Sequence, residues 1–179
     1  MFMVEQSKIM EEAEMRTTLT RMAHEIVERN QNLKDLVFVG IITRGVPLAR
    51  RLSKKIKSIT DYSIPVGVLD VVTHRDDLTK AQVIEDETKI PFNIKNRKVV
   101  LVDDVIYHGR TVRAAMDVLI HYGRPKSIQL AVLIDRGHRE FPIHPDYVGR
   151  QVPTSSREQV KVRIREQDGV DEVVIEAAD

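Results

Sequence analysis

The stretch Val99–Thr111, "VVLVDDVIYHGRT", decides how the rest of the chain is read. Four aliphatic residues, Val99 to Val102, run straight into two adjacent carboxylates, Asp103 and Asp104. Gly109, Arg110 and Thr111 follow within seven positions. The aliphatic run predicts a strand covered on both faces. "TVRAAMDVLIHYG" (111–123) then takes up helical spacing and is stopped by Gly123 and Pro125. Neighbouring carboxylates repel, so a purely structural role is costly unless solvent or cations are near. The helix start beyond them offers unpaired amides and a positive dipole end, which attract an anion. Gly109 allows a close backbone approach, and Thr111 supplies a hydroxyl. One segment therefore offers acceptors for sugar hydroxyls or a hydrated cation, and donors for a phosphate. That combination suits a ribose 5-phosphate. It equally suits a plain capping cluster on a strand–helix loop.

Outward from this stretch, strands and helices alternate. Residues 8–29 carry a helical stripe through Leu19, Met22, Ala23 and Ile26. "LVFVGII" (36–42) predicts a buried strand, "VPLARRLSKKI" (46–56) a helix and "PVGVLDVV" (65–72) a second strand. The third strand is "KVVLVDD" (98–104) and the fourth "SIQLAVLID" (127–135). "VKVRIR" (160–165) and "EVVIEA" (172–177) complete the set, with Asp168-Gly169 turning between them. Residues 73–91 are polar and highly charged, the mark of a long functional loop. This order implies βαβ crossovers and a mostly parallel sheet flanked by helices, an α/β fold. Ligands of such sheets bind beyond the carboxyl ends of the strands.

Composition narrows the class. The 179 residues suffice for one domain, 1–179, with a sizeable core. Aromatics make up 4% and Trp is absent, so that core is aliphatic. With no cysteine there are no disulfides and no thiolate metal sites. No apolar run approaches the roughly 18 residues of a membrane span. The start, "MFMVEQSKIMEEAEM", lacks the basic and apolar regions of a signal peptide, so a cytoplasmic protein is expected. A net charge of +1 demands no nucleic-acid partner. Neither the G-x-x-x-x-G-K-[ST] phosphate loop nor a G-x-G-x-x-G turn after a strand is present.

"VVLVDDVIYHGRT" resembles the phosphoribosyl-pyrophosphate motif of type I phosphoribosyltransferases. "LTRMAHEIVERN" (19–30), "VGIITRGVPLARRL" (39–52), "HRDDLT" (74–79) and "IQLAVLIDRGHREFPI" (128–143) narrow the likeness. Together they resemble the bifunctional pyrimidine-operon attenuator / uracil phosphoribosyltransferase family, over roughly residues 10–175. The resemblance implies a type I phosphoribosyltransferase-like fold with a small hood and a flexible loop, and magnesium used with phosphoribosyl pyrophosphate. It implies that uracil and phosphoribosyl pyrophosphate give UMP and pyrophosphate.

By that resemblance Asp103 and Asp104 hold the ribose hydroxyls, and Val105, Ile106, Tyr107, His108, Gly109, Arg110 and Thr111 cradle the 5-phosphate. Thr43-Arg44-Gly45 matches the pyrophosphate loop, where Arg44 offers a rigid fork of donors. Arg75, with Asp76 and Asp77, matches the loop that closes over pyrophosphate. Arg136, in "DRGHR", lies where the family places base and nucleotide. The resemblance assigns catalysis to Asp103, Asp104 and Arg44, and leader-RNA contacts to Thr20, Arg21 and His24. Arg136, Arg139, Arg150, Arg157, Lys161, Arg163 and Arg165 suggest a basic face for RNA. His108 departs from the family's usual Thr, and Ile42 from its usual Lys. The family forms dimers and tetramers, so a homodimer or homotetramer is expected. A phosphoribosyltransferase for uracil or another base without RNA binding remains an alternative, as does a regulator with a vestigial active site.

Overall fold

The computed structural model describes residues 6–74 and 85–178. Its elements in order are β1 (Gln6–Glu11), α1 (Glu12–Arg29), β2 (Leu36–Ile41), α2 (Gly45–Thr60), β3 (Val66–Leu69) and β4 (Lys98–Ile106). There follow α3 (Arg110–Tyr122), β5 (Ser127–Asp135), β6 (Tyr147–Gln151), β7 (Glu158–Arg163), the single turn α4 (Arg165–Asp168) and β8 (Glu172–Ala177).

Five strands form a parallel sheet in the order β3-β2-β4-β5-β6. The long aliphatic runs belong to its central strands because both faces are covered. Leu36, Phe38, Val100, Val102, Ala131 and Leu133 point into one core, shared with α1 and α2. Their neighbours Val37, Val39, Val99, Leu101, Leu130 and Val132 point into a second, shared with α3. Period-two alternation thus loads both faces with aliphatic groups. The chain enters the sheet at β2, places β3 on one side and returns on the other with β4. This reversal opens a crevice at the carboxyl ends of β2 and β4.

A second sheet, β1-β8-β7, is antiparallel and forms the hood. Three expectations change here. The helix read over 8–29 begins only at Glu12, because "QSKIME" pairs with β8 and buries Met10. Glu11 then caps α1: its amide donates to Glu14 at 3.0 Å in a capping box. The strand read over 160–165 lies two residues earlier, at Glu158–Arg163, where it pairs with β8. Asp168-Gly169 is the end of α4 rather than a bare turn. β6, "YVGRQ", has one glycine, one arginine and little apolar alternation, so it carried no strand signal.

The third strand runs to Ile106, two residues beyond the carboxylates, so Asp103 and Asp104 stand within β4. In the expected loop of 73–91, Val72–His74 make a 3-10 turn and Lys89 bridges to Val68. Asp70 clasps both ends of this excursion, accepting from the amides of Val72 at 3.0 Å and Glu87 at 3.3 Å. Arg75, Asp76 and Asp77 lie outside the described residues. No helix among the described residues is long and apolar enough to cross a membrane.

Candidate active site

Three chain segments meet at the crevice. The first is the turn Thr43-Arg44-Gly45 between β2 and α2, preceded by a cis peptide at Ile42–Thr43. Gly45 is required there by space: a Cβ on it would lie 2.2 Å from the Val102 carbonyl oxygen and 3.2 Å from the Asp103 Cα. The turn is pressed directly onto the strand that carries the carboxylates. Gly40 makes the same allowance from β2, where a Cβ would sit 2.6 Å from the Val46 Cα. Without these two glycines Arg44 could not stand beside β4.

The second segment is the carboxylate pair. Asp103 is buried, and its Oδ1 accepts from the Asp104 amide at 2.9 Å. Asp104 is half-buried and accepts from the Val105 amide at 2.7 Å. Burial raises the Asp104 carboxyl above its ordinary value, against the opposing pull of the Asp103 side chain, the Val105 amide and Arg44. The crevice therefore holds negative charge at an energetic cost, and a cation or a ring of hydroxyl donors placed there relieves it. Arg44 feels Asp104 electrostatically. Its fork, however, is engaged by the hood: Nε lies 3.1 Å from Asp168 Oδ2, and Nη2 lies 2.8 Å from Oδ1. That ion pair raises the Arg44 guanidinium further and holds Asp168 below the usual carboxylate range.

The third segment is the turn into α3. Gly109, at φ 90°, occupies the left-handed region and is the N-cap of α3, with no side-chain cap on the helix. The first-turn amides are thus presented to whatever occupies the turn. Val105 and Ile106 remain in β4, paired with Ile134 and Asp135, and the Ile106 side chain is in the core. The open part of the expected cradle is accordingly Tyr107 to Thr111.

The loop after β5 braces this turn. The amides of Glu140 and Phe141 donate to the His108 carbonyl at 3.0 and 3.2 Å, and Arg139 donates to the Tyr107 carbonyl at 2.8 Å. Arg139 is itself fixed by Asp135 at 2.7 Å. Arg136 is buried, donates to Thr154 Oγ1 at 3.1 Å and the Glu158 carbonyl at 2.6 Å, and lies 3.7 Å over the Tyr107 ring. It supports Tyr107 from behind. Sequence reasoning missed Glu140, which pairs with Arg110 at 2.6 Å and lies 3.2 Å from His108 Nδ1, so a carboxylate balances the Arg110 guanidinium at the turn. It also missed Asp168. Nothing local to either marks a partner 30 or 124 residues away.

The residues assigned to RNA are on α1. The Thr20 hydroxyl donates to the Arg16 carbonyl at 2.9 Å. Arg21 pairs with Glu25 at 2.7 Å and donates to the carbonyls of Val148 at 3.1 Å and Gly149 at 2.5 Å, covering the open edge of β6. His24 is exposed. The expected basic face on β7 is largely neutralised, because Arg163 meets Glu172 at 2.6 Å and Lys161 pairs with Glu176. Arg165 pairs with Glu12 at 2.8 Å.

Residues 5–165 match the phosphoribosyl transferase domain family. The chain is 57% identical over 173 residues to the bifunctional protein PyrR of Pelotomaculum thermopropionicum, covering 96% of each chain. It is 52% identical to that of Halalkalibacterium halodurans, covering 94% of this chain and 96% of the relative. A solved hypoxanthine phosphoribosyl transferase of Trypanosoma cruzi superposes with a TM-score of 0.76 at 17% identity, covering 98% of this chain and 93% of that one. At that identity the likeness is one of fold. The glycine-pressed turn, the carboxylate pair and the start of α3 all lie within residues 5–165, and the chain is a member of the bifunctional PyrR family of phosphoribosyltransferases.

Proposed function

We propose that the chain is a UMP-responsive RNA-binding regulator of pyrimidine-operon expression that also converts uracil and phosphoribosyl pyrophosphate to UMP and pyrophosphate. The observation that carries this reading is the convergence of three segments on the β2/β4 crevice in a chain 57% identical to a bifunctional PyrR protein. In it, the Tyr107–Thr111 turn holds the 5-phosphate with backbone amides. Asp103 and Asp104 take the ribose hydroxyls. Arg44 takes pyrophosphate oxygens, with Thr43 and Gly45 shaping the turn. Arg136 and Tyr107 back the nucleotide, and Arg75 belongs to the segment that closes over pyrophosphate.

The described residues contain no group of three or more potential ligands that could hold a metal ion by themselves. The donor set nevertheless fits magnesium arriving on phosphoribosyl pyrophosphate, because adjacent carboxylates with an elevated carboxyl accept a divalent cation readily. When bound with phosphoribosyl pyrophosphate, magnesium near Asp103 and Asp104 would supply charge neutralisation for the departing pyrophosphate. The chain's own contribution is electrostatic. As the bond from the anomeric carbon to pyrophosphate breaks, Arg44 receives growing negative charge and Asp104 faces growing positive charge. Uracil then attacks through its ring nitrogen, forming the bond to the anomeric carbon, and the N–H proton leaves with the released pyrophosphate. No side-chain nucleophile is required.

For the regulatory half, Thr20, Arg21 and His24 mark the RNA face, with UMP in the crevice favouring the bound form. A single phosphoribosyltransferase-like domain, self-associated as a dimer or tetramer in the cytoplasm, completes the reading. Two assays on one preparation test it: pyrophosphate release dependent on uracil, and a gel shift of a pyrimidine-operon leader with and without UMP. The expected result is turnover together with a UMP-enhanced shift. Turnover with no shift would leave the plain phosphoribosyltransferase, and a shift with no turnover the vestigial regulator.

A further inference from the structure

Between α1 and α2 lies a cavity of about 300 Å³ whose wall contains Arg16, Arg51, Lys54 and Lys55 together with Glu12 and Asp171. The charges do not cancel. Arg51 is held by Glu166 and by Asp171, the latter at 2.8 Å. Glu12 is held by Arg165 at 2.8 Å. Both lining carboxylates are therefore engaged, and Arg16, Lys54 and Lys55 have no carboxylate partner among the described residues. Lys55 is half-buried, and its ammonium donates to the Thr20 hydroxyl at 2.7 Å. Burial, then Arg16 and Arg51, hold its proton affinity below the ordinary lysine value. A desolvated ammonium that feels two guanidiniums and rests on a neutral hydroxyl is a site that an anion relieves.

Thr20 is fully used in this arrangement. Its proton goes to the Arg16 carbonyl and a lone pair goes to Lys55. Its hydroxyl therefore aims Lys55. Arg16, Thr20 and His24 are spaced by four residues, so they form one row along α1, about 12 Å long at 1.5 Å per residue. Lys55 and Lys54 flank the row from α2. The cavity wall holds no aromatic side chain, which suits phosphates rather than stacked bases.

We propose that Arg16, Lys54 and Lys55 bind backbone phosphates of the leader RNA, and that Thr20 is a positioning residue that aims the Lys55 ammonium at them without touching RNA. This rests on the regulatory reading above. It is tested by fluorescence anisotropy of a labelled pyrimidine-operon leader transcript, with UMP, across a salt series. Lys55→Met is expected to weaken binding about tenfold and to lower the slope of log affinity against log salt by about 0.7. Lys55→Arg keeps the charge and restores the slope, which separates charge from packing. Thr20→Val weakens binding and adds nothing in the Lys55→Met background, as coupled residues do. A wild-type slope in Lys55→Met overturns the proposal and leaves the patch to another polyanion, such as an acidic protein. A full extra loss from Thr20→Val on top of Lys55→Met overturns the positioning role. Wild-type protein that binds no leader RNA removes the regulatory reading and this one with it. Binding that Arg21→Ala weakens but Lys55→Met does not removes the phosphate patch alone.

Discussion

The crevice and the hood handle charge in opposite ways. In the crevice, the Asp104 carboxyl is raised by burial, and Arg44 pulls on it only from a distance. In the hood, Glu172 is lowered by Lys8 and Arg163, Asp168 by Arg44, and Glu166 by Arg51. One region stores an electrostatic cost, and the other has relaxed into salt bridges. In the proposed reaction, ligands placed in the crevice relieve that cost. The two regions also touch, since the hood's Asp168 occupies the fork of Arg44.

The largest break in this comparison is Asp104→Asn. Turnover is expected to fall about 100-fold or more, the scale of losing one electrostatic contact to a developing charge. Stability should move the other way. A carboxyl whose folded value is raised binds its proton more tightly in the folded state, so the fold loses stability as pH rises through the carboxylate range. Removing that group should stabilise the protein by about 1 kcal/mol at neutral pH. Steady-state pyrophosphate release and a thermal melt on the same sample check both signs. Normal turnover in the variant would end the assignment of Asp104.

Gly45→Ala comes next. Its Cβ would lie 2.2 Å from a carbonyl oxygen of β4, which is backbone and cannot swing away. Either the turn lifts off the strand or β4 shifts. We expect a loss of about 2–3 kcal/mol, as in other overpacked sites, with activity lost through displacement of Arg44. Chemical denaturation gives the first number, and binding of pyrophosphate gives the second.

Asp168→Asn probes the contact between the regions. Under the proposed role of Arg44, pyrophosphate oxygens take its fork from Asp168 or share it. Freeing the fork is expected to lower the KM for phosphoribosyl pyrophosphate several-fold with kcat little changed, a uniform-binding effect. A KM unchanged from wild type means that Arg44 does not serve pyrophosphate.

How far the sequence disclosed each region follows from the range of its interactions. The segments that form the crevice were legible because their order along the chain is local. Asp103 and Asp104, Gly109 and Thr111, and Thr43 to Gly45 lie in short runs where strand end, turn and helix start are written consecutively. β5 and β8 kept the expected bounds, each carrying a clear apolar pattern. The hood's first strand was misread because its order is non-local. "QSKIME" becomes a strand only through pairing with residues 172–176, and the stripe of Met15 to Ile26 makes the helix look longer than it is. "VKVRIR" advertises a basic face, whereas Glu172 and Glu176, on a strand that reads as apolar, neutralise it. Arg136 shows the same limit. Its place in the motif is evident, but that it lies behind Tyr107 with its guanidinium spent on Thr154 and Glu158 is a tertiary fact.

The smallest expected effect sharpens the contrast most cleanly. Glu172 accepts from Lys8 at 2.9 Å and Arg163 at 2.6 Å, and these partners hold its carboxyl below the ordinary value of 4.5. A lowered folded value means that its contribution is present above the ordinary range and is lost as pH falls through the depressed one. Lys8 and Arg163 are partly exposed, so solvent and salt screen the pairs, and Glu172→Gln should cost only about 0.5–1 kcal/mol at neutral pH. The sign of its pH dependence is nevertheless opposite to that of Asp104→Asn. In paired melts across pH, the Glu172→Gln curve should join wild type in acid, where wild type has also lost the charge. The Asp104→Asn curve should join wild type in acid from above, and separate upward as pH rises. If both variants deviated in the same direction at neutral pH, the hood and the crevice would not be electrostatic opposites, and the strain assigned to the carboxylate pair would have to lie elsewhere.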